Sequence, residues 1–147
     1  MSNWTPAFAG VTNLDLISAS LAERERRYFT DFSCARLVVK EMRALHDDGA
    51  VCSLAWVIMP DHVHWLFQLG EGMDLSAAVK RFKARSAHRV NDYLHRQGTL
   101  WQKAFYDHAV RKDEDVQGIA RYIVANLLRA GLVEHVGDYP LWDAVWL

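Results

Sequence analysis

Hydrophobic positions along the chain follow two periods, one of two residues and one of between three and four. Over residues 13–19, Leu14, Leu16 and Ser18 alternate with Asp15 and Ile17, which predicts a strand. The charged run 23–27 reads as a loop or an extension of that strand. Ser33 stands as an N-cap ahead of Leu37, Val38, Glu41, Met42 and Leu45, which recur at helical spacing, and Gly49 supplies the stop. Residues 51–59 are rich in β-branched and aromatic side chains and predict a buried strand. Pro60-Asp61 marks a turn, and residues 62–69 alternate again, so the two runs predict a hairpin. Asp74 or Ser76 caps a long helix reaching about Gln97, with Leu75, Ala78, Val79 and Phe82 on its buried stripe and Gly98 at its end. Residues 101–110 read as an aromatic edge strand. Asp113 caps a last helix through about Arg129, with Val116, Ile119, Ala120, Ile123 and Leu127 on one face and Gly131 as its stop. Residues 139–142 read as an irregular aromatic tail, and residues 1–12, which have no period, as an irregular N-terminal one.

The order strand, helix, strand, strand, helix, strand, helix predicts an α+β fold, an antiparallel sheet with helices packed on it, of the split βαβ or ferredoxin-like kind. A length of 147 residues predicts one domain, over residues 13–147. A composition 51% hydrophobic and 24% charged excludes disorder over most of the chain. No apolar run is long enough for a membrane span, and no secretory signal is evident at the N-terminus, so the expectation is a cytoplasmic protein without a membrane partner. Cys34 and Cys52 are too few for a disulfide scaffold or a four-cysteine zinc site and read as small buried residues.

Charge changes this picture, because a net of -1 conceals a basic segment. Lys80, Arg81, Lys83, Arg85, Arg89 and Arg96 lie on or just beyond the long helix, against the single acid Asp92. Such a stripe is either a solvated helix face or a phosphate-binding one.

Three groups of residues carry candidate chemistry. His62 and His64 open a strand two residues apart, so both imidazoles project from one face about 7 Å apart along the chain and can share a metal ion. Tyr122 and Asn126, four apart on the last helix, share a face offset from its apolar stripe and offer a nucleophilic phenol and an oxygen ligand. Trp101, Gln102, Lys103, Phe105, Tyr106 and Arg111 interleave aromatic, polar and basic groups, a composition that suits unpaired bases and phosphates. Each group also has a bland reading: a chance His pair, a half-buried Tyr beside a surface Asn, an aromatic edge strand.

Together the phrases Pro-Asp-His-Val-His-Trp, Trp-Gln ahead of Phe-Tyr-Asp-His-Ala-Val-Arg, and Tyr-Ile-Val-Ala-Asn followed by Arg-Ala-Gly-Leu-Val resemble the single-tyrosine HUH transposases, and most closely their REP-associated tyrosine transposase branch. The resemblance runs from about Leu14 to Trp142. It implies an HUH endonuclease fold, RRM-like in its sheet. It implies a divalent metal, Mg²⁺ or Mn²⁺, on His62, His64 and Asn126, and Tyr122 as the nucleophile. It implies a DNA surface drawn from Lys80, Arg81, Lys83, Arg85, Arg89, Trp101, Gln102 and Arg111. The implied activity is cleavage and rejoining of single-stranded DNA at hairpins of palindromic repeats, through a 5′-phosphotyrosine. The implied setting is the nucleoid, with the protein a monomer or a homodimer. The sequence departs from the family at Leu127, where relatives usually carry Pro. Residues 4–12 also look like a translated palindromic repeat. Two other functions fit the same residues, a non-catalytic nucleic-acid module on an RRM-like sheet and a metal-dependent phosphoesterase without a covalent step.

Overall fold

A computed structural model describes residues 14–110, 116–132 and 141–144. In chain order these form β1 (Leu14–Ser20), α1 (Phe32–Asp47), β2 (Val51–Ile58), β3 (His62–Leu69), α2 (Leu75–Leu94), β4 (Tyr106–Val110), α3 (Val116–Arg129) and β5 (Trp142–Ala144). The strands make one sheet in the order β4-β1-β3-β2-β5, antiparallel throughout. The first four strands and first two helices follow the ferredoxin-like path expected from the sequence. β5 and α3 are additions to it.

Alternation sorts β3, the central strand, into two faces. Val63, Trp65 and Phe67 join Ile17, Ala19, Val51 and Ile58 in a core covered by Val38, Met42 and Leu45 of α1 and Ala78, Val79 and Phe82 of α2. Leu66 joins Leu14, Ala55, Val57 and Val110 in a second core under Ala120, Ile123 and Val124 of α3. His62 and His64 therefore share the face that carries α3, while α2 lies on the opposite one. Trp65 Nε1–H donates to Ser53 Oγ at 2.9 Å, which satisfies the one polar atom of a large buried ring.

Several local expectations are corrected. Asp31, not Ser33, caps α1, because its carboxylate accepts from the Cys34 N–H at 3.3 Å and places Ser33 inside the first turn. The 23–27 run is neither an open loop nor strand. Residues Arg24–Arg26 and Tyr28–Thr30 are two 3₁₀ turns joined at Arg27 in a left-handed conformation. α2 stops at Leu94 rather than about Gln97, because His95 turns left-handed and the Arg96 N–H closes back on the Asn91 carbonyl. The strand expected over 101–110 begins only at Tyr106, with Trp101 reduced to a single bridge to Leu21. The aromatic tail is not irregular throughout, since Trp142–Ala144 pairs with β2 as an edge strand. Gly131 ends α3 at positive φ as expected. Asp113, Arg111 and the N-terminal phrase at 4–12 lie outside the described residues. No helix among the described residues is long and apolar enough to cross a membrane.

Candidate active site

The turn at Pro60-Asp61 delivers His62 into β3 with its ring already tethered. Asp61 Oδ1 lies 2.7 Å from His62 Nδ1, and Asp61 Oδ2 accepts from Arg24 Nε at 2.7 Å. Burial works to raise the Asp61 pKa, but the hydrogen bonds and charges of Arg24 and His62 outweigh it and hold the carboxyl below its ordinary value. One strand across, Ser18 stands opposite His64 in register, and its Oγ lies 2.7 Å from His64 Nδ1. With both Nδ1 atoms held, the two Nε2 atoms turn toward each other and stand 3.1 Å apart.

That spacing fits a shared divalent ion. Two adjacent ligands of an octahedral ion, each about 2.1 Å from it, stand about 3.0 Å apart. Outer partners on Nδ1 are also the usual means of fixing a ligating imidazole. His64 is pushed down to about 4, first by burial and then by the charges of His62 and Arg129, so at neutral pH its ring is uncharged and can offer a lone pair. When both rings are neutral, the Asp61 carboxylate takes the His62 Nδ1–H. His64 Nε2–H then donates to His62 Nε2, and Ser18 Oγ–H donates to His64 Nδ1. Were an ion held by both Nε2 atoms, His64 Nδ1–H would be the donor to Ser18 Oγ instead. Among the described residues no three His, Cys, Asp or Glu side chains cluster as ligands, so an ion held by the two imidazoles would take its other ligands elsewhere.

α3 lies over the same face and packs on β2 and β3. Ile123 and Val124 are buried beneath it, whereas Tyr122 is 60% exposed and Asn126 half-buried beside it. Arg129 lies along their side of the helix. Its guanidinium carbon sits 4.1 Å from the centroid of the Tyr122 ring. One of its nitrogens donates to the Tyr122 carbonyl at 3.1 Å and to Asn126 Oδ1. Sequence reasoning missed Asp61, Ser18, Arg24 and Arg129 as parts of this site. Asp61, next to His62 in the Pro-Asp-His-Val-His-Trp phrase, and Arg129, seven residues from Tyr122 and so on its side of the helix, carried a signal in the sequence.

A sequence model of the family described as "Transposase IS200 like" matches residues 18–126. The chain belongs to the IS200-like transposase family. An Escherichia coli K12 REP-associated tyrosine transposase is 33% identical over 88 residues, covering 58% of this chain and 50% of that protein. A Haemophilus influenzae protein carrying the same family name is 28% identical over 154 residues, covering 95% of this chain and 84% of its own. A solved structure of a REP-associated tyrosine transposase bound to a REP hairpin superposes with a TM-score of 0.71 at 25% identity, covering 97% of this chain and 82% of that one.

Within this IS200-like transposase the expected DNA residues do not form one surface. Lys80 and Arg85 are exposed on α2. Arg81 pairs with Asp48, and Arg89 pairs with Glu41 of α1, whose side chain is 4% exposed. Lys83 turns inward. Its ammonium donates to the Gln102 and Ala104 carbonyls at 2.9 and 3.2 Å and lies 5.4 Å from the Phe105 ring, and burial lowers its pKa. Trp101 is a core residue, with its indole N–H donating to buried Ser86 Oγ at 2.9 Å and its ring against Phe29 and Phe82. Gln102 binds back to the end of β1 through the Ser20 and Leu21 carbonyls. Lys80 and Lys83 line a cleft of about 450 Å³ between α2 and residues 98–105, on the sheet face away from the His pair. The cleft and the His pair thus lie on opposite faces of the sheet. On the His face, Tyr106 of β4 stands opposite Ser18 and is 71% exposed, next to exposed His108.

Proposed function

We propose that this transposase cleaves and rejoins single-stranded DNA at hairpins of palindromic repeats, through a 5′-phosphotyrosine on Tyr122. The observation that carries the reading is the convergence of His62 Nε2 and His64 Nε2, 3.1 Å apart, on the sheet face crossed by the helix bearing Tyr122 and Asn126. His62, His64 and the Asn126 carboxamide oxygen would hold Mg²⁺ or Mn²⁺, whose nitrogen and oxygen preference suits that donor set. When bound, the ion supplies positive charge to the oxygens of the scissile phosphate.

The rest is done by the chain. Tyr122 Oη bonds to phosphorus, the bond from phosphorus to the 3′ oxygen breaks, and a free 3′-hydroxyl leaves while the 5′ phosphate stays on the tyrosine. The phenol proton passes to solvent, and the departing 3′ oxygen takes one up. A second 3′-hydroxyl reverses the step, so strands are rejoined without a nucleotide cofactor. Asp61 and Ser18 hold the two imidazoles in place throughout. Tyr106 offers an aromatic surface to an unpaired base beside the His pair. Lys80 and Arg85 are exposed for phosphates of DNA that follows the molecule round the β4 edge. We read residues 13–147 as the single catalytic domain, and a DNA substrate would place it with the nucleoid. The fit to a hairpin substrate is supported by the related structure bound to a REP hairpin.

The test is incubation with single-stranded repeat hairpins and Mn²⁺, read on a denaturing gel. The wild type should form a protein–DNA adduct that is lost with EDTA. Tyr122→Phe should form none, yet bind the hairpin as the wild type does and keep its stability within about 0.5 kcal/mol, since the ring is largely exposed. An adduct persisting in the Phe variant would move the nucleophile to Tyr106. No adduct with any palindromic strand would leave a binding module.

A further inference from the structure

Arg129 does two things at once in the candidate active site. Its guanidinium carbon lies over the Tyr122 ring, 4.1 Å from the centroid, and it donates to Asn126 Oδ1 and to the Tyr122 carbonyl. The side chain is exposed at the end of α3, where an arginine could as well extend into water and still favour the helix dipole. Instead it folds back along two turns to the pair of residues assigned to the chemistry.

Asn126 Oδ1 is thus claimed twice, by the guanidinium in this structure and by the divalent ion in the proposed function. A carboxamide oxygen has two lone pairs, but a guanidinium at hydrogen-bonding distance and a divalent ion on the same atom bring three positive charges within a few ångströms. Charge repulsion therefore sets the two occupants against one another. We propose that Arg129 is a latch. It holds Asn126 Oδ1 and the face of Tyr122 until a divalent ion displaces it, so metal loading and release of the tyrosine ring are one exchange. Arg129 is a positioning residue in this scheme, acting through Asn126 and Tyr122. The inference rests on the metal site of the proposed function.

The test reads metal binding, without DNA or turnover. Free Mn²⁺ is titrated by electron paramagnetic resonance against the wild type, Arg129→Met, Asn126→Ala, the double variant Asn126→Ala/Arg129→Met, and His62→Ala. Arg129→Met should bind Mn²⁺ at least about tenfold more tightly than the wild type, the weight of one charge-assisted hydrogen bond that no longer has to be broken. Arg129→Lys should lie between the two. The gain should shrink several-fold in the Asn126→Ala background, because the contested oxygen is gone. Loss of a nearby positive charge alone would strengthen binding equally in both backgrounds, so a gain undiminished by Asn126→Ala overturns the latch, and melting curves taken alongside show whether each variant folds. Unchanged or weaker Mn²⁺ binding in a folded Arg129→Met overturns the latch. Wild type and His62→Ala binding equally poorly overturns the metal site itself and the latch with it.

Discussion

Arg89 separates a structural arginine from a DNA-binding one. It belongs to the basic stripe that the sequence assigns to DNA, yet its Nε donates to Glu41 Oε1, a carboxylate 4% exposed between α1 and α2. Arg89→Ala leaves that carboxylate without its cation. Removing one partner of a fully buried pair costs about 3–5 kcal/mol. The Arg89 side chain is 51% exposed, so solvent screens part of the attraction and water can enter where the guanidinium was. We therefore expect about 2 kcal/mol, in the range for a buried polar group left unsatisfied. For a chain of this length that lowers the melting temperature by about 4–8 °C, measured by circular dichroism. Glu41→Met/Arg89→Met should recover most of the loss, because the stranded charge has gone and an apolar pair of similar length replaces it. Hairpin binding, measured below the melting range over a salt series, should keep the wild-type slope. A lost phosphate contact would flatten that slope by about 0.7–0.9. An Arg89→Ala protein that melts with the wild type and shows the flattened slope would refute the structural role.

Two further outcomes follow from the groups around the sheet. Asp15 is pushed up to about 7, first by its burial and then by the hydrogen bond and charge of Asp107 on the neighbouring strand. A carboxyl raised in the folded state stabilises it below the unfolded value, and the contribution is lost as pH rises through the folded one. Stability should therefore fall between about pH 4 and pH 7, by at most about 1.4 kcal/mol per unit, and then level. Urea melts of Asp15→Asn should lack that slope, and parallel profiles for the two proteins would refute it. Ser18→Ala removes the partner of His64 Nδ1 and should weaken Mn²⁺ binding about 10–100-fold with little change in melting temperature. Unchanged Mn²⁺ affinity would mean that another group orients the ring.

Much of this fold was legible because its signals are local. The β2–β3 hairpin follows from Pro60-Asp61 between two strand-like runs, and that same turn sets the His pair on one face. β5 was not legible, since three residues at a sheet edge leave no period to detect. The end of α2 was misjudged because His95, not Gly98, adopts the left-handed cap. In the candidate site, residue type and spacing make His62, His64, Tyr122 and Asn126 candidates, and the family resemblance supplies the role proposed for each. Their outer contacts were not legible, because Ser18–His64 and Arg24–Asp61 join residues far apart in sequence. The ion pairs within the basic stripe were illegible for the same reason. Whether an arginine meets a phosphate or a buried glutamate on another helix depends on which helices share a sheet face, and the sequence of one helix does not contain that.

The two faces of β3 bind the protein's stability and its chemistry to a single register. A residue inserted or deleted within His62–Leu69 would exchange the faces wholesale beyond that point, sending Trp65 and Phe67 toward α3 or the imidazoles into the apolar layer under α1 and α2. As the central strand, β3 has partners on both sides to oppose such a slip. Length variation is absorbed next door. The register between β2 and β3 shifts between Ser53 and Ala55, where Leu54 and Ala55 both enter the core under α3. That bulge lies toward the far end of the hairpin from the turn, so the pairing of Val57 with His64 is regular. A substitution can thus alter the core or the site separately, but indels in the middle strand would remove both together.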